Sequence, residues 1–214
     1  MNSYAPRELV NNPDFGFATT DLAKVREANK TVENPRTWIT ARSFVGKDAV
    51  RVNIQGELIS DGIVYSEHPE FGNKYQIGVR FHNPEDGPAL NQIVEKFANT
   101  EVNDDPDVIY KTHFPIKDSS DGDVIFIKLQ TSRDDKTFAC QTVPANVTPG
   151  AGNPDIYRYM PVSIDAIVTG YWNLRENSRG IFLNVVKVTF GKEEPVKDTK
   201  RGASRTTGRQ YQRS

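Results

Sequence analysis

The sequence is poor in the residues that disulfides, metal sites and membrane spans require. Its 214 residues include one cysteine, Cys140, which excludes an intramolecular disulfide and a cysteine-rich zinc site. The three histidines, His68, His82 and His113, are scattered, so we predict no metal site and no cofactor. No run of 18 apolar residues and no leader-like segment is present. We therefore expect an intracellular protein that is neither secreted nor bound to a membrane.

Catalytic motifs are missing as well. The chain has no GxSxG elbow, no P-loop, no GxGxxG fingerprint and no HExxH motif. Two acidic clusters, within residues 104–107 and 118–123, lack the spacing of an EF-hand, and we interpret them as solvated turns. Convergence of these carboxylates would instead favour a metal-dependent nuclease. The sequence predicts a protein without enzymatic activity.

The aliphatic composition indicates a mainly β protein. Leucine is scarce, with 7 residues against 20 Val and 14 Ile, and β-branched side chains suit pleated strands. Alternation of apolar and polar residues predicts strands, and helical spacing predicts one helix in the body, at about residues 88–99. The predicted strands cover residues 50–58, 75–82, 124–131, 137–143, 163–172 and 180–190.

Five or six strands, one helix and long loops predict an oligonucleotide-binding (OB)-like Greek-key barrel of five to six strands. Residues 108–110 are a candidate for an additional strand. The alternative architecture is an open β-sandwich or a jelly roll.

Charge and composition divide the chain into three parts. Residues 1–35 are polar and form a predicted N-terminal extension, with a short helical pattern at residues 20–30. Residues 36–191 form the predicted OB-like barrel domain. Residues 192–214 form a predicted disordered, basic C-terminal tail, in which residues 199–214 carry five bases and no acid. The remaining 198 residues have a net charge of −6, so the basic tail is a candidate for binding phosphates.

Aromatic residues lie beside basic residues at several places. The 21 aromatics are 10% of the chain. Proteins that bind single strands need rings that stack on bases and cations that follow the phosphates, and each stacked base contributes about 1–3 kcal/mol. Packing in the core is the alternative role for every ring. The candidate stacking residues are Trp38, Tyr157, Tyr159 and Trp172, and the candidate phosphate contacts are Arg51, Arg80, Lys128, Arg175, Arg179, Lys200, Arg201 and Arg205.

The last predicted hairpin carries a family resemblance. Residues 163–172 (SIDAIVTGYW), a polar turn, and residues 180–188 (GIFLNVVKV) resemble the closing strands of viral OB-fold single-stranded DNA-binding proteins. These are small replication proteins of tailed phages and large DNA viruses, and the likeness extends loosely over residues 45–190. The phage members usually end in an acidic tail that recruits partners, whereas this chain ends in basic residues.

The resemblance implies a sequence-independent single-stranded DNA-binding protein that acts in DNA replication, recombination or repair. It would coat and protect unwound strands and contact replication proteins. Preference for DNA over RNA and formation of a homo-oligomer are left open, and a viral protein of this kind would act in the host cytoplasm or nucleus. The alternative is a viral nucleocapsid or virion assembly protein whose basic tail binds nucleic acid.

Overall fold

The computed structural model describes residues 2–66, 74–119, 122–134, 136–149, 153 and 155–191. Thirteen strands and three helices lie within these residues. The strands are β1 (Ser3–Tyr4), β2 (Phe15–Phe17), β3 (Trp38–Val45), β4 (Asp48–Ala49), β5 (Arg51–Leu58), β6 (Val64–Ser66), β7 (Lys74–Phe81), β8 (Lys111–Thr112), β9 (Ile116–Ser119), β10 (Gly122–Leu129), β11 (Gln141–Val143), β12 (Pro161–Asn173) and β13 (Ser178–Phe190). The helices are α1 (Pro6–Val10), α2 (Leu22–Asn29) and α3 (Asp86–Ala98).

Four of the longer strands form a Greek key. Strands β5, β7 and β10 pair antiparallel in succession, and β12 returns to pair with the free side of β5. The spatial order is therefore β12-β5-β7-β10, and β13 extends the sheet beyond β12. Within the described residues, no hydrogen-bonded ladder joins β13 to β10, so the sheet is open there. The prediction of a mainly β, OB-like fold is confirmed, with an opening between these two strands.

Helix α3 follows β7 and packs against the inner side of β12. It begins two residues earlier than the sequence predicts, and its apolar side chains Leu90, Ile93 and Phe97 are buried. The ring centroids of Phe97 and Trp172 are 4.6 Å apart. A Cβ atom at Gly170 would lie 2.3 Å from a ring carbon of Phe97. Glycine at this position of β12 therefore allows the helix to approach the sheet.

The residues before β3 pack against the same core. Leu9, Phe17 and Leu22 are buried in it, and Arg7 forms an ion pair with the buried Asp86, 2.9 Å between Nη1 and Oδ2. Helix α2 confirms the helical pattern in the N-terminal segment. The division into an extension, a barrel domain and a tail stays a prediction.

One local prediction holds only in part and another is wrong. The hairpin between β10 and residues 137–143 forms only next to its turn: Thr131 and Phe138 form an isolated antiparallel bridge, and the N–H of Ala139 donates to the carbonyl of Gln130 at 2.8 Å. Farther along the chain, β11 pairs parallel to β13 instead. Residues 108–110 form no strand, and Tyr110 instead donates a hydrogen bond to Asp104. A short apolar run indicates burial, but its partner depends on segments far away in the sequence.

The predicted basic tail at residues 192–214 lies outside the described residues, together with Lys200, Arg201 and Arg205. Residues 120 and 121 of the second acidic cluster also lie outside them. None of the described helices has the length and apolar character needed to cross a bilayer.

Candidate nucleic-acid interface

Three aromatic rings form a cluster on the outer face of β3, β12 and β13. Directly opposed residues in a sheet lie on the same face, and the register pairs Trp38 with Asn173 and Phe182 with Thr169. The Tyr171 and Phe182 rings are stacked, with centroids 4.3 Å apart and an interplanar angle of 19°. The Trp38 ring lies 5.3 Å from Tyr171 and 5.7 Å from Phe182. Trp38 is 49% exposed and Phe182 38% exposed, so their rings face solvent above the buried Tyr171.

A groove of about 450 Å³ lies where the sheet is open, between β10 and β13. Phe126 on β10 and Phe182 on β13 line it from opposite sides, and Phe126 is 41% exposed. Lys128, two residues after Phe126, lines the same groove and is exposed. The groove therefore continues the aromatic cluster across the opening of the sheet and adds a cation to it.

The strand next to β10 continues this surface. Phe126 is paired with Gly78 of β7, and a Cβ atom at Gly78 would lie 3.2 Å from Cε1 of Phe126. Arg80 is paired with Val124, which makes Phe126 its diagonal neighbour on the same face. The guanidinium carbon of Arg80 lies 5.6 Å from the centre of the Tyr159 ring, so the surface extends from Phe126 to the loop before β12.

Tyr159 is held in an uncommon backbone conformation. Its φ is +67°, in the left-handed region, which costs a residue other than glycine about 1–2 kcal/mol. Its N–H donates to the carbonyl of Leu58 at 2.8 Å. The ring is 51% exposed, and the guanidinium carbon of Arg158 lies 4.8 Å from its centre. Neighbouring Tyr157 is 56% exposed. Backbone strain of this kind is often found where a side chain has a functional role.

We call the continuous surface formed by these side chains the aromatic strip. It crosses five strands and one loop, and four of its rings are exposed. With one base on each exposed ring, it has room for about four nucleotides, at the lower end of the sites of OB folds. Its members are Tyr159, Arg80, Phe126, Phe182, Tyr171 and Trp38.

Five of the sequence-predicted residues lie on or beside the aromatic strip. Trp38, Tyr159 and Arg80 belong to it, Lys128 lines its groove, and Tyr157 is exposed in the loop that carries Tyr159. Their role as binding residues stays a prediction, but the structure brings four of them, all except Tyr157, to one surface.

Two of the predicted residues are engaged inside the protein. Trp172 is 1% exposed and packs on Phe97, so neither face of its ring is open to a nucleic-acid base. The Arg179 guanidinium donates to the Ala98 carbonyl at 2.7 Å and to Oγ1 of Thr112 at 3.2 Å. Burial lowers the pKa of Arg179 from its ordinary value. Both side chains stabilise the β12–β13 hairpin next to its turn.

Arg51 and Arg175 lie elsewhere on the surface. Arg51 is half-buried on β5, six residues before Glu57, the residue paired with Arg80. Six residues of a strand span about 20 Å, so Arg51 does not share a site with Arg80. Arg175 is exposed in the turn between β12 and β13.

Sequence reasoning missed Phe126 and Phe182, because both lie in runs that are mostly apolar. A signal was nevertheless present in β10. Lys128 indicates which alternate residues face solvent, and Phe126 shares its parity. In β13, Asn184 gives the same signal for Phe182, because the two residues are two apart and lie on the same face of the strand. Nδ2 of Asn184 donates a hydrogen bond to Oγ1 of Thr169 at 3.0 Å.

The first acidic cluster has a structural role. Oδ1 of Asp104 accepts a hydrogen bond from Nε of Arg26 at 2.8 Å, and Oδ2 accepts one from the Tyr110 hydroxyl at 2.5 Å. Burial by itself raises the pKa of Asp104, but these hydrogen bonds outweigh it and the net pKa is lowered. Burial and the hydrogen bond to Asp104 raise the pKa of Tyr110 to about 12. The network ties α2 to the loop before β8.

Comparison with known proteins gives limited similarity. No model of a known protein family and no curated protein matches this chain. Among solved structures, the chain is similar to a protein described as the single-stranded DNA-binding protein from bacteriophage Enc34. The two share 17% sequence identity, the match covers 69% of this chain and 86% of the phage chain, and the TM-score is 0.38. A likeness at this level does not by itself assign a function.

Proposed function

We propose that the protein binds single-stranded DNA without sequence preference and without catalysis. The observation that carries this proposal is the continuity of the aromatic strip, on which exposed rings lie on one surface with Arg80 and next to Lys128. Exposed apolar side chains on a monomeric protein are normally scattered, and a contiguous group of them marks a binding surface. Four exposed rings joined by stacking, by a shared groove and by the Arg80–Tyr159 contact form such a group.

The chemistry of the strip favours an unpaired strand. Every base has a flat face that stacks on an aromatic ring, so stacking does not discriminate between sequences. In a duplex these faces are already covered by neighbouring bases. Cations beside the rings, Arg80, Arg158 and Lys128, are of the type that neutralises backbone phosphates.

We further propose that this binding serves DNA replication, recombination or repair, in which the protein coats and protects unwound strands and contacts other replication proteins. This part rests on the resemblance of the last hairpin to viral single-stranded DNA-binding proteins. The alternative of a virion assembly protein predicts a broad apolar patch for subunit contacts. The interleaving of cations with the exposed rings favours nucleic acid over such a contact.

Intrinsic fluorescence tests the proposal directly. The chain has two tryptophans, and Trp172 is buried whereas Trp38 lies at the end of the strip. We expect oligo(dT) to quench the fluorescence, duplex DNA of the same length to bind more weakly, and oligo(U) to report on the preference for DNA over RNA. The log of the affinity should fall with the log of the salt concentration by about 0.7 for each phosphate contacted.

The Trp38→Phe variant is the matched control, because it keeps a ring in the strip and leaves Trp172 as the one tryptophan. It should bind oligo(dT), measured with a labelled oligonucleotide, but lose the quenching signal. Equal affinity for duplex and single strands, or quenching that persists in Trp38→Phe, would show that bases do not stack on the strip.

A further inference from the structure

A second concave surface begins where the aromatic strip ends. It has a volume of about 590 Å³ and lies between α2, the segment before β3 and the β12–β13 turn. We call it the basic cleft, because the described residues that line it include four cations and no carboxylate. The side chains that matter for its chemistry are Arg26, Lys30, Arg36 and Arg175, with Pro35 and Leu174 as the apolar part.

The walls of the basic cleft are fixed by hydrogen bonds. The Asn29 amide donates to the carbonyl of Arg36 and accepts from its N–H, both at 2.8 Å. On the other side, the N–H of Leu174 donates to the carbonyl of Thr37 at 2.8 Å, and the N–H of Arg175 donates to Oδ1 of Asn173 at 3.1 Å. The segment before β3 is thus tied to both α2 and the turn, and the cleft is formed before any ligand arrives.

Two of the four cations are available to a ligand. Arg26 is paired with Asp104 at 2.8 Å, and Nζ of Lys30 lies 2.6 Å from Oε2 of Glu27. Within the described residues, the guanidinium groups of Arg36 and Arg175 have neither a hydrogen-bond partner nor an ion-pair partner, and both residues are exposed. Arginine binds phosphate through paired, charge-assisted hydrogen bonds. The unused donors therefore suit a phosphate group.

The position of the cleft relative to Trp38 identifies its occupant. Thr37, in the cleft wall, precedes Trp38, and Asn173, the strand partner of Trp38, precedes Leu174. We propose that the basic cleft takes the nucleotide next to the base stacked on Trp38, with Arg36 and Arg175 on its phosphate and Pro35 and Leu174 against its sugar or base. This inference rests on the proposed function, and adds one nucleotide to the site. The volume is within the range of small-ligand sites.

The test compares charge-matched double variants in titrations with oligo(dT). Arg36→Ala with Arg175→Ala removes the two free cations of the cleft. Lys47→Ala with Arg133→Ala removes two exposed cations from turns that line neither the cleft nor the groove. All four residues are exposed, so both variants should fold, which circular dichroism and thermal unfolding check.

We expect the cleft variant to lower the salt slope of oligo(dT) binding by about 0.7 to 1.4, as the two arginines contact one phosphate or two. The control variant should keep the slope of the unchanged protein, and Arg36→Lys with Arg175→Lys should restore most of it. As the oligo(dT) is lengthened, its affinity for each protein should rise until the binding site is filled. The unchanged protein should reach this plateau with an oligonucleotide that is one nucleotide longer than the one needed by the cleft variant.

A salt slope and a length dependence that are the same in the cleft variant and the unchanged protein would overturn the inference and leave the proposed function standing. In another outcome, a poly-glutamate peptide displaces oligo(dT) from the unchanged protein but not from the cleft variant, while both proteins bind oligo(dT) with the same affinity. That result would overturn the inference and identify an acidic protein segment as the occupant of the basic cleft. If the unchanged protein binds no oligonucleotide at low salt, both the inference and the proposed function are wrong.

Discussion

Replacing Trp38 with alanine removes the ring at the end of the aromatic strip. A base stacked on an aromatic ring contributes about 1–3 kcal/mol, so we expect oligo(dT) affinity to fall about 5- to 150-fold. Trp38 is 49% exposed, and its contacts are with the rings of Tyr171 and Phe182, so the fold should be retained. Loss of each aromatic pair costs about 0.5–1.5 kcal/mol of unfolding free energy.

Anisotropy of a labelled oligo(dT), measured beside a thermal unfolding curve, separates binding from stability. Tyr65→Ala is the control, because Tyr65 is an exposed ring, 44% exposed, which packs on Tyr75 outside the aromatic strip. It should leave the affinity unchanged. If Trp38→Ala binds as tightly as the unchanged protein, or if Tyr65→Ala weakens binding as much, the strip does not determine where bases stack.

Four further predictions concern Tyr157 and Tyr159, Asp104 and the C-terminal residues. Tyr157→Ala combined with Tyr159→Ala should weaken oligo(dT) binding by about 2–4 kcal/mol in titrations, while thermal stability hardly changes, because both rings are exposed. Tyr159→Gly should weaken binding without loss of stability, since glycine tolerates the φ of +67°. The pKa of Asp104 is lowered in the folded protein, so its ionised form contributes stability above the ordinary carboxyl pKa of about 3.9 that is lost at lower pH. Urea unfolding should therefore show that the deficit of Asp104→Asn at pH 7 shrinks on acidification, and a constant deficit would contradict this. Deletion of residues 199–214, which carry five bases, should reduce the salt slope by at most about three while single strands remain preferred over duplex. Loss of all single-strand binding in the truncated protein would favour the assembly-protein alternative.

The sequence alone determined five of the longer strands, helix α3 and the mainly β fold class, but not the strand β3. Alternation of apolar and polar residues and a continuous apolar run are local properties, and they correctly predict β5, β7, β10, β12 and β13. The apolar spacing of α3 is local in the same sense. Tyr157 and Tyr159 were recognisable as exposed because they follow a loop rich in proline and glycine, and both are exposed in the structure.

Only the tertiary structure decided which rings are exposed. Alternation shows that Trp172 and Gly170 share a face of β12, but the contact with Phe97 of α3, more than 70 residues earlier in the chain, buries that face. Arg179 is likewise engaged by the Ala98 carbonyl at the end of α3. Neither contact follows from the pattern within a single strand.

The aromatic strip itself has the same origin. Its residues come from β3, β7, β10, β12, β13 and the loop before β12, and strand pairing places those on the strands on one surface. Phe126 is exposed because the sheet is open beside β10, and its partner on β7, Gly78, has no side chain that would keep the ring from lying against that strand. A local pattern states which residues of a strand face the same way. The neighbouring strands and helices determine whether that face is covered, and this depends on pairings between residues far apart in the sequence.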